Sequence, residues 1–156
     1  MAEPRCTCGN PRPFADCCGR FLTGSSRPGT PEELMRSRYS AFVRQDATYL
    51  VDTHHPSTRA ADLAQGLAQT FSATRWIALR VVGSGMDPAD PDRGWVEFSA
   101  FHESGQIHER SRFARRDGIW MYLDGVHLGA LALDRNGPCP CHSGRKWKKC
   151  HGAQGA

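Results

Sequence analysis

Residues 106–113 read Gln106-Ile107-His108-Glu109-Arg110-Ser111-Arg112-Phe113, and alternate positions differ in character. Ile107, Glu109, Ser111 and Phe113 share one face of an extended chain, while His108, Arg110 and Arg112 share the other. Period two is the signature of a strand, and the face of His108, Arg110 and Arg112 suits solvent. The opposite face sets Glu109 and Ser111 among apolar neighbours, where an unpaired carboxylate is costly. Glu109 is therefore expected either in a satisfied polar network, paired with an arginine or with the turn at His54-His55, or on a pocket wall with a raised pKa.

Outward from this stretch, residues 76–82, 95–102 and 119–123 are also rich in β-branched and aromatic side chains and read as strands. Ser104-Gly105 and Asp117-Gly118 provide hairpin turns between the last three, and residues 86–94, with Pro88, Pro91 and three aspartates, read as an exposed loop. Before residue 76 the period is helical. Thr30-Pro31-Glu32-Glu33 supplies an N-cap, a proline at the first helical position and a glutamate placed for a capping box. Leu34, Met35, Tyr39, Phe42 and Val43 then form one apolar face. Asp46 caps a second, short helix with Tyr49, Leu50 and Thr53, which His54-His55-Pro56 ends. A third helix is expected over residues 58–71, burying Leu63, Leu67 and Phe71. Helices followed by an antiparallel sheet predict an α+β domain over residues 30–126, with the helices on one face of a curved sheet.

The two ends carry a different chemistry. Cys139 and Cys141, eight intervening residues, then Cys150, His151 and Gly152 are matched by Cys6 and Cys8, eight residues, then Cys17, Cys18 and Gly19. Four soft donors on a short loop suit a tetrahedral ion, and zinc is the expected occupant, with iron the alternative. All seven cysteines lie in these two segments. Disulfides between Cys6 and Cys8, or between adjacent Cys17 and Cys18, would be strained, and the odd count is explained if His151 is the eighth ligand. Two knuckles, over residues 1–20 and 136–153, are thus expected, each a closed site without an open coordination position.

The 156 residues give one domain with small appendages, and a hydrophobic fraction of 39% without a long apolar run excludes a helical membrane span. The first residues, Met1 to Cys6, carry no apolar leader, so a cytoplasmic setting is expected. The formal charge is +4, and Arg145, Lys146, Lys148 and Lys149 have no carboxylate near them in sequence. With Trp147, these cations either form a surface for a protein or ribonucleoprotein partner or offset thiolate charge at the metal.

The C-terminal pattern resembles the SEC-C motif, a zinc-binding tail known from the bacterial preprotein translocase SecA. Cys139, Cys141, Cys150 and His151 take its ligand positions, with Pro140, Ser143-Gly144 and Lys149 as matching surroundings. The N-terminal copy has Gly9-Asn10-Pro11 in place of the Ser-Gly pair. Met35 to Phe42, Tyr49-Leu50, Thr53 to Pro56, Trp76 and His108 to Phe113 resemble the YchJ family of bacterial proteins. That resemblance implies a middle domain similar to nuclear transport factor two: a cone of three helices wrapped by a curved sheet, with a pocket at its mouth. Domains of that class often dimerise through the outer sheet face.

Three functions are weighed. A non-enzymatic zinc-binding adaptor would present the basic C-terminal knuckle; SEC-C tails imply a chaperone, anionic lipid or ribosome as the kind of partner. A small-molecule binder or enzyme would use Tyr39, His54, His55, Trp76, Glu109 and Ser111 around a middle-domain pocket, with Glu109 as acid or base. A redox or metal-delivery role would treat the knuckles as labile.

Overall fold

The computed structural model describes residues 3–155. Helix α1 (Gly19–Leu22) closes the N-terminal segment, and α2 (Pro31–Arg44), α3 (Ala47–Asp52) and α4 (Leu63–Ala73) precede four strands. These are β1 (Trp76–Asp87), β2 (Asp90–His102), β3 (Gly105–Arg116) and β4 (Ile119–His127), joined in a fully antiparallel meander of order β1-β2-β3-β4.

Helix α2 begins where its sequence says it must. Thr30 Oγ1 accepts from Glu33 N–H at 3.1 Å, while the Glu33 carboxylate reaches one residue further back, to Gly29 N–H. Its inner face buries Leu34, Met35, Tyr39 and Ala41. Asp46 caps α3 by accepting from Tyr49 N–H at 3.0 Å. The chain after α3 does not turn away from the sheet: Tyr122 N–H donates to Thr53 O and His55 N–H donates to Tyr122 O, so this segment is laced to β4. Thr58 Oγ1 donates to Leu123 O at 2.6 Å. That tie holds residues 55–62 in turns, and α4 starts at Leu63 rather than at residue 58 as expected.

The largest departure from expectation is at residues 86–94, which are not a loop. β1 and β2 continue through them to a tight turn at Pro88-Ala89, with Asp87 opposite Asp90. Strand β4 also runs past residue 123 to His127, pairing Gly125 with Ser111 and His127 with Glu109. The inner sheet face contributes Val96, Phe98, Ala100, Phe113 and Trp120, which pack on Leu34, Met35 and Tyr39. A second cluster of Ala41, Leu50 and Leu67, with Phe42, Leu63 and Phe71, joins the three helices to each other. The outer face of β3 is only partly open. Arg110 and Arg112 are exposed, but His108 is covered, with Nδ1 2.6 Å from Gly129 O and Nε2 3.3 Å from Glu97 Oε2.

Candidate metal centres and cavity

The two ends share a set of main-chain bonds. Cys6 N–H donates to Arg12 O at 2.8 Å, and Cys139 N–H donates to Arg145 O at 2.9 Å. Isolated bridges pair Arg5 with Pro13 and Pro138 with Lys146. A 3-10 turn follows in each, Phe14–Asp16 and Trp147–Lys149, delivering Cys17 and Cys150 at nearly the same backbone angles, φ −111°, ψ −106° and φ −127°, ψ −115°. In the N-terminal copy Asn10 takes the place of Ser143, while Pro11 stands where Gly144 has φ 82°. Asn10 Oδ1 accepts from Arg12 N–H at 3.0 Å just as Ser143 Oγ accepts from Arg145 N–H at 3.2 Å. The trailing glycines have a reason too. A Cβ on Gly19 or Gly152 would lie 2.7 Å from the carbonyl oxygen of Phe14 or Trp147, under an aromatic ring in both cases.

This backbone brings Cys6, Cys8, Cys17 and Cys18 together at one end and Cys139, Cys141, Cys150 and His151 at the other, with all four donor atoms of each set within 4.8 Å of one another. A tetrahedral ion with metal–sulfur bonds of about 2.3 Å needs sulfur–sulfur edges of about 3.8 Å and sulfur–nitrogen edges of about 3.6 Å. Cys8 Sγ is 3.7 Å from Cys17 Sγ, which is 4.0 Å from Cys18 Sγ. At the other end Cys141 Sγ is 3.6 Å from Cys150 Sγ, and His151 Nδ1 lies 3.2 Å from Cys139 Sγ and 3.4 Å from Cys150 Sγ. Both sets can hold a metal ion, and their donors are consistent with zinc. All seven cysteines are free of disulfides.

Crowded thiols without a cation compete for charge. Hydrogen bonds with Cys18 and Cys8 hold Cys6 far below the usual thiol range, while burial and its negative neighbours push Cys17 up to about 12. The Cys18 thiol is raised, first by its hydrogen bond with Cys6. Burial opposes ionisation of Cys141, yet hydrogen bonds from Ser143 and Cys139 bring it down to about 6. A divalent cation offsets this repulsion.

The two centres differ in burial. Cys6, Cys8, Cys17 and Cys18 are part of the main core, packed with Leu34, Met35 and Tyr39, and Arg36 Nη1 donates to Cys8 O at 2.8 Å. At the C-terminal centre only Cys139 is buried. Arg145 and Lys146 are exposed and Lys148 is partly covered. Trp147 is not a free surface residue: its ring packs edge-on to Phe101 at 6.2 Å and covers Gly152.

Between helices and sheet lies a cavity of about 470 Å³. Of the six residues singled out in the sequence, Tyr39, His54, Trp76, Glu109 and Ser111 line it; His55 does not, its ring being bonded to Ser57. Glu109 resolves as a local network, accepting from Ser111 Oγ at 2.7 Å with His127 Nε2 at 3.9 Å. Its side chain folds across Gly125, where a Cβ would come within 2.5 Å of the carboxyl group. Arg38, Tyr122 and His127 also line the cavity and were missed. Arg38 had a legible signal, since Leu34, Arg38 and Ala41 fall on one helical stripe and only the charge argues against burial. The guanidinium stacks over the Tyr122 ring at 4.7 Å, and its Nη1 donates to Leu50 O at 2.9 Å and Thr53 Oγ1 at 2.7 Å. Burial lowers its pKa to about 10, still protonated at neutral pH. Burial first, and then the Arg38 charge, lower the pKa of His54. Burial, then Glu109, push Tyr122 up to about 12.

Residues 30–125 match the family model described as YchJ, middle NTF2-like domain, and residues 135–153 match that of the SEC-C motif. The chain belongs to the YchJ family. Among its relatives, UPF0225 protein SG1365 of Sodalis glossinidius is 44% identical over 96% of this chain and 98% of its own. UPF0225 protein plu2503 of Photorhabdus laumondii is 42% identical over 94% and 98%. The fold is that of two solved structures. RPA3114 of Rhodopseudomonas palustris, a SEC-C motif containing protein solved in solution, superposes with a TM-score of 0.72 at 34% identity, over 80% of this chain and 99% of that one. A SEC-C motif containing protein from Psychrobacter arcticus gives 0.66 at 28% identity, over 96% of each chain. No helix among the described residues is long and apolar enough to cross a membrane.

Proposed function

We propose that the chain is a zinc-binding adaptor without catalytic activity, in which two closed four-ligand centres flank the middle domain and the C-terminal one displays cations to a protein or ribonucleoprotein partner. The observation that carries this reading is the donor geometry: the four donor atoms of each set lie within 4.8 Å of one another, sulfur pairs in both sets stand 3.6–4.0 Å apart, near the tetrahedral edge, and four protein ligands leave no position for water or substrate. Arg145, Lys146 and Lys149 are the exposed cations of the C-terminal knuckle, fixed relative to one another by the 3-10 turn and by the bond from Arg145 Nη2 to Lys149 O. Trp147 supports that surface from beneath. Metal analysis of the purified chain should give two zinc ions per molecule, and one for a Cys150→Ser, His151→Ala variant. Partners retained from lysate with and without nuclease should be lost from that variant; identical retention would sink the adaptor reading.

A second reading has its own observation. The cavity of about 470 Å³ brings Glu109, His54 and Arg38 together among apolar side chains, an arrangement suited to a small molecule. On that reading Glu109 and Ser111 are the polar contacts, with Tyr39 and Trp76 as walls. A Glu109→Gln chain that binds the same metabolites as the native one would remove its main support.

A further inference from the structure

Arg38 is nine-tenths buried, and no carboxylate stands within ion-pair distance of it among the described residues. Its two hydrogen bonds both leave from Nη1, toward α3. Among the described residues Nε and Nη2 donate to no protein atom, yet the one buried side-chain nitrogen or oxygen left there without a partner is Trp76 Nε1. The two free Arg38 nitrogens therefore keep accessible surface. Because the residue lines the cavity, that surface is where a ligand would meet it.

A guanidinium fixed on one side and stacked on Tyr122 is held rigid, with its remaining donors at an edge that matches the two oxygens of a carboxylate. Glu109 does not fill this role. It is already bonded to Ser111 and lies 3.9 Å from His127, and though its charge reaches Arg38 it makes no ion pair with the guanidinium among the described residues. The apolar lining of the cavity includes Met35, Tyr39, Phe42, Leu67, Trp76 and Phe98, which suits an apolar body, and of these only the Tyr39 phenol and the unpartnered Trp76 Nε1–H can hydrogen-bond to it. The cavity volume is in the range of small-ligand sites, about 300–1,000 Å³.

We infer that this cavity binds a small organic acid, an apolar or aromatic body with one carboxylate, and that Arg38 is the anchor for the carboxylate. The inference rests on the small-molecule reading given above. Glu109 stabilises the Arg38 charge only from beyond ion-pair distance, so a carboxylate in the cavity would be its direct counter-ion, with the aromatic walls keeping water from the pair. His54, whose pKa is lowered first by burial and then by the Arg38 charge, lines the same cavity.

The test uses the full, metal-loaded chain and three matched probes: 3-phenylpropionate, 3-phenylpropanamide and 3-phenylpropylamine, followed by amide and arginine side-chain NMR shifts. The acid is expected to bind at least tenfold more tightly than the amide or the amine, and to shift Arg38 Nε–H together with Tyr122. Arg38→Met should weaken the acid at least tenfold and leave the amide unchanged; if that variant does not fold, the acid and amide on the native chain decide. An amide as tight as the acid, or an amine tighter than both, overturns the carboxylate assignment and leaves a small-molecule cavity standing. If none of the three shifts a cavity resonance, both the assignment and the small-molecule reading fall.

Discussion

At Gly19 the absence of a side chain is enforced by backbone: a Cβ would sit 2.7 Å from Phe14 O, which cannot move without opening the 3-10 turn that delivers Cys17. Gly19→Ala should therefore cost about 1–3 kcal/mol in urea unfolding, as overpacking does. Gly125→Ala meets only the end of a flexible side chain, the Glu109 carboxyl, so its stability cost should be clearly smaller. Its signature is instead a displaced Glu109, read as a changed carboxyl-carbon NMR shift when the bond to Ser111 is lost. His54 makes a pH prediction with a definite sign. Burial first, and then Arg38, lower its pKa below the ordinary value of 6.5, so the unfolded chain takes up the proton more readily than the folded one. The contribution of a neutral His54 is present above about pH 6.5 and is lost as pH falls through its lower folded value. Urea midpoints between pH 7.5 and 5.5 should fall more steeply for the native chain than for His54→Gln. Acid release of metal acts on both chains alike, so the difference isolates this residue.

Among the elements, α2 ends on Gln45 in the left-handed region, φ 59° and ψ 40°, with its N–H bonded to Ala41 O and Phe42 O. Glycine adopts that conformation without the Cβ penalty, and the one side-chain bond lost among the described residues, Gln45 Nε2 to Phe71 O, is 3.5 Å long. Gln45→Gly should raise stability by about 0.5 kcal/mol in equilibrium unfolding. Element order and type were legible because the helices and β3 each bury one regular face, and Thr30, Asp46 and the Asp117-Gly118 turn mark their ends by local chemistry. The outer β1–β2 ribbon was not. Gly83 and Gly85 stand where a strand would show side chains, and their place is taken across the sheet by the Trp95 ring, over which Arg110 also stacks at 3.9 Å. A pattern completed by a residue ten positions away leaves no period two in sequence. The cavity was half legible for a related reason. Glu109, Ser111, Tyr39, Trp76 and His54 follow from strand and helix faces, whereas Arg38 is buried by tertiary packing on Tyr122, and His127 enters only because β4 continues past Gly125.

On the scale of the whole molecule, one knuckle backbone is used twice in two different mechanical roles. The N-terminal cysteines are core residues, in contact with Leu34, Met35 and Tyr39 and tied to α2 by Arg36 to Cys8 O and Thr7 to Ser40. Without a bound ion the four sulfurs would stay crowded in the core, the Cys6 thiolate favoured by its hydrogen bonds while ionisation of Cys17 and Cys18 is opposed. The C-terminal centre stands outside that core, its Trp147 ring packed edge-on to Phe101 of β2, while the main-chain bonds from Trp147 and Lys148 to Gly137 and Arg135 lie within the C-terminal segment itself. Metal removal is therefore expected in two stages. A chelator titration followed by metal analysis and near-ultraviolet circular dichroism should release the C-terminal ion first, with the middle-domain signal intact. The N-terminal ion should follow at higher chelator, together with that signal. Cys139→Ser, Cys141→Ser should keep the thermal midpoint of the middle domain within a few degrees, equivalent to about 1 kcal/mol. Cys8→Ser, Cys17→Ser should lower it several times further or prevent folding. Equal loss from the two pairs would mean that burial does not separate the roles of the two ends.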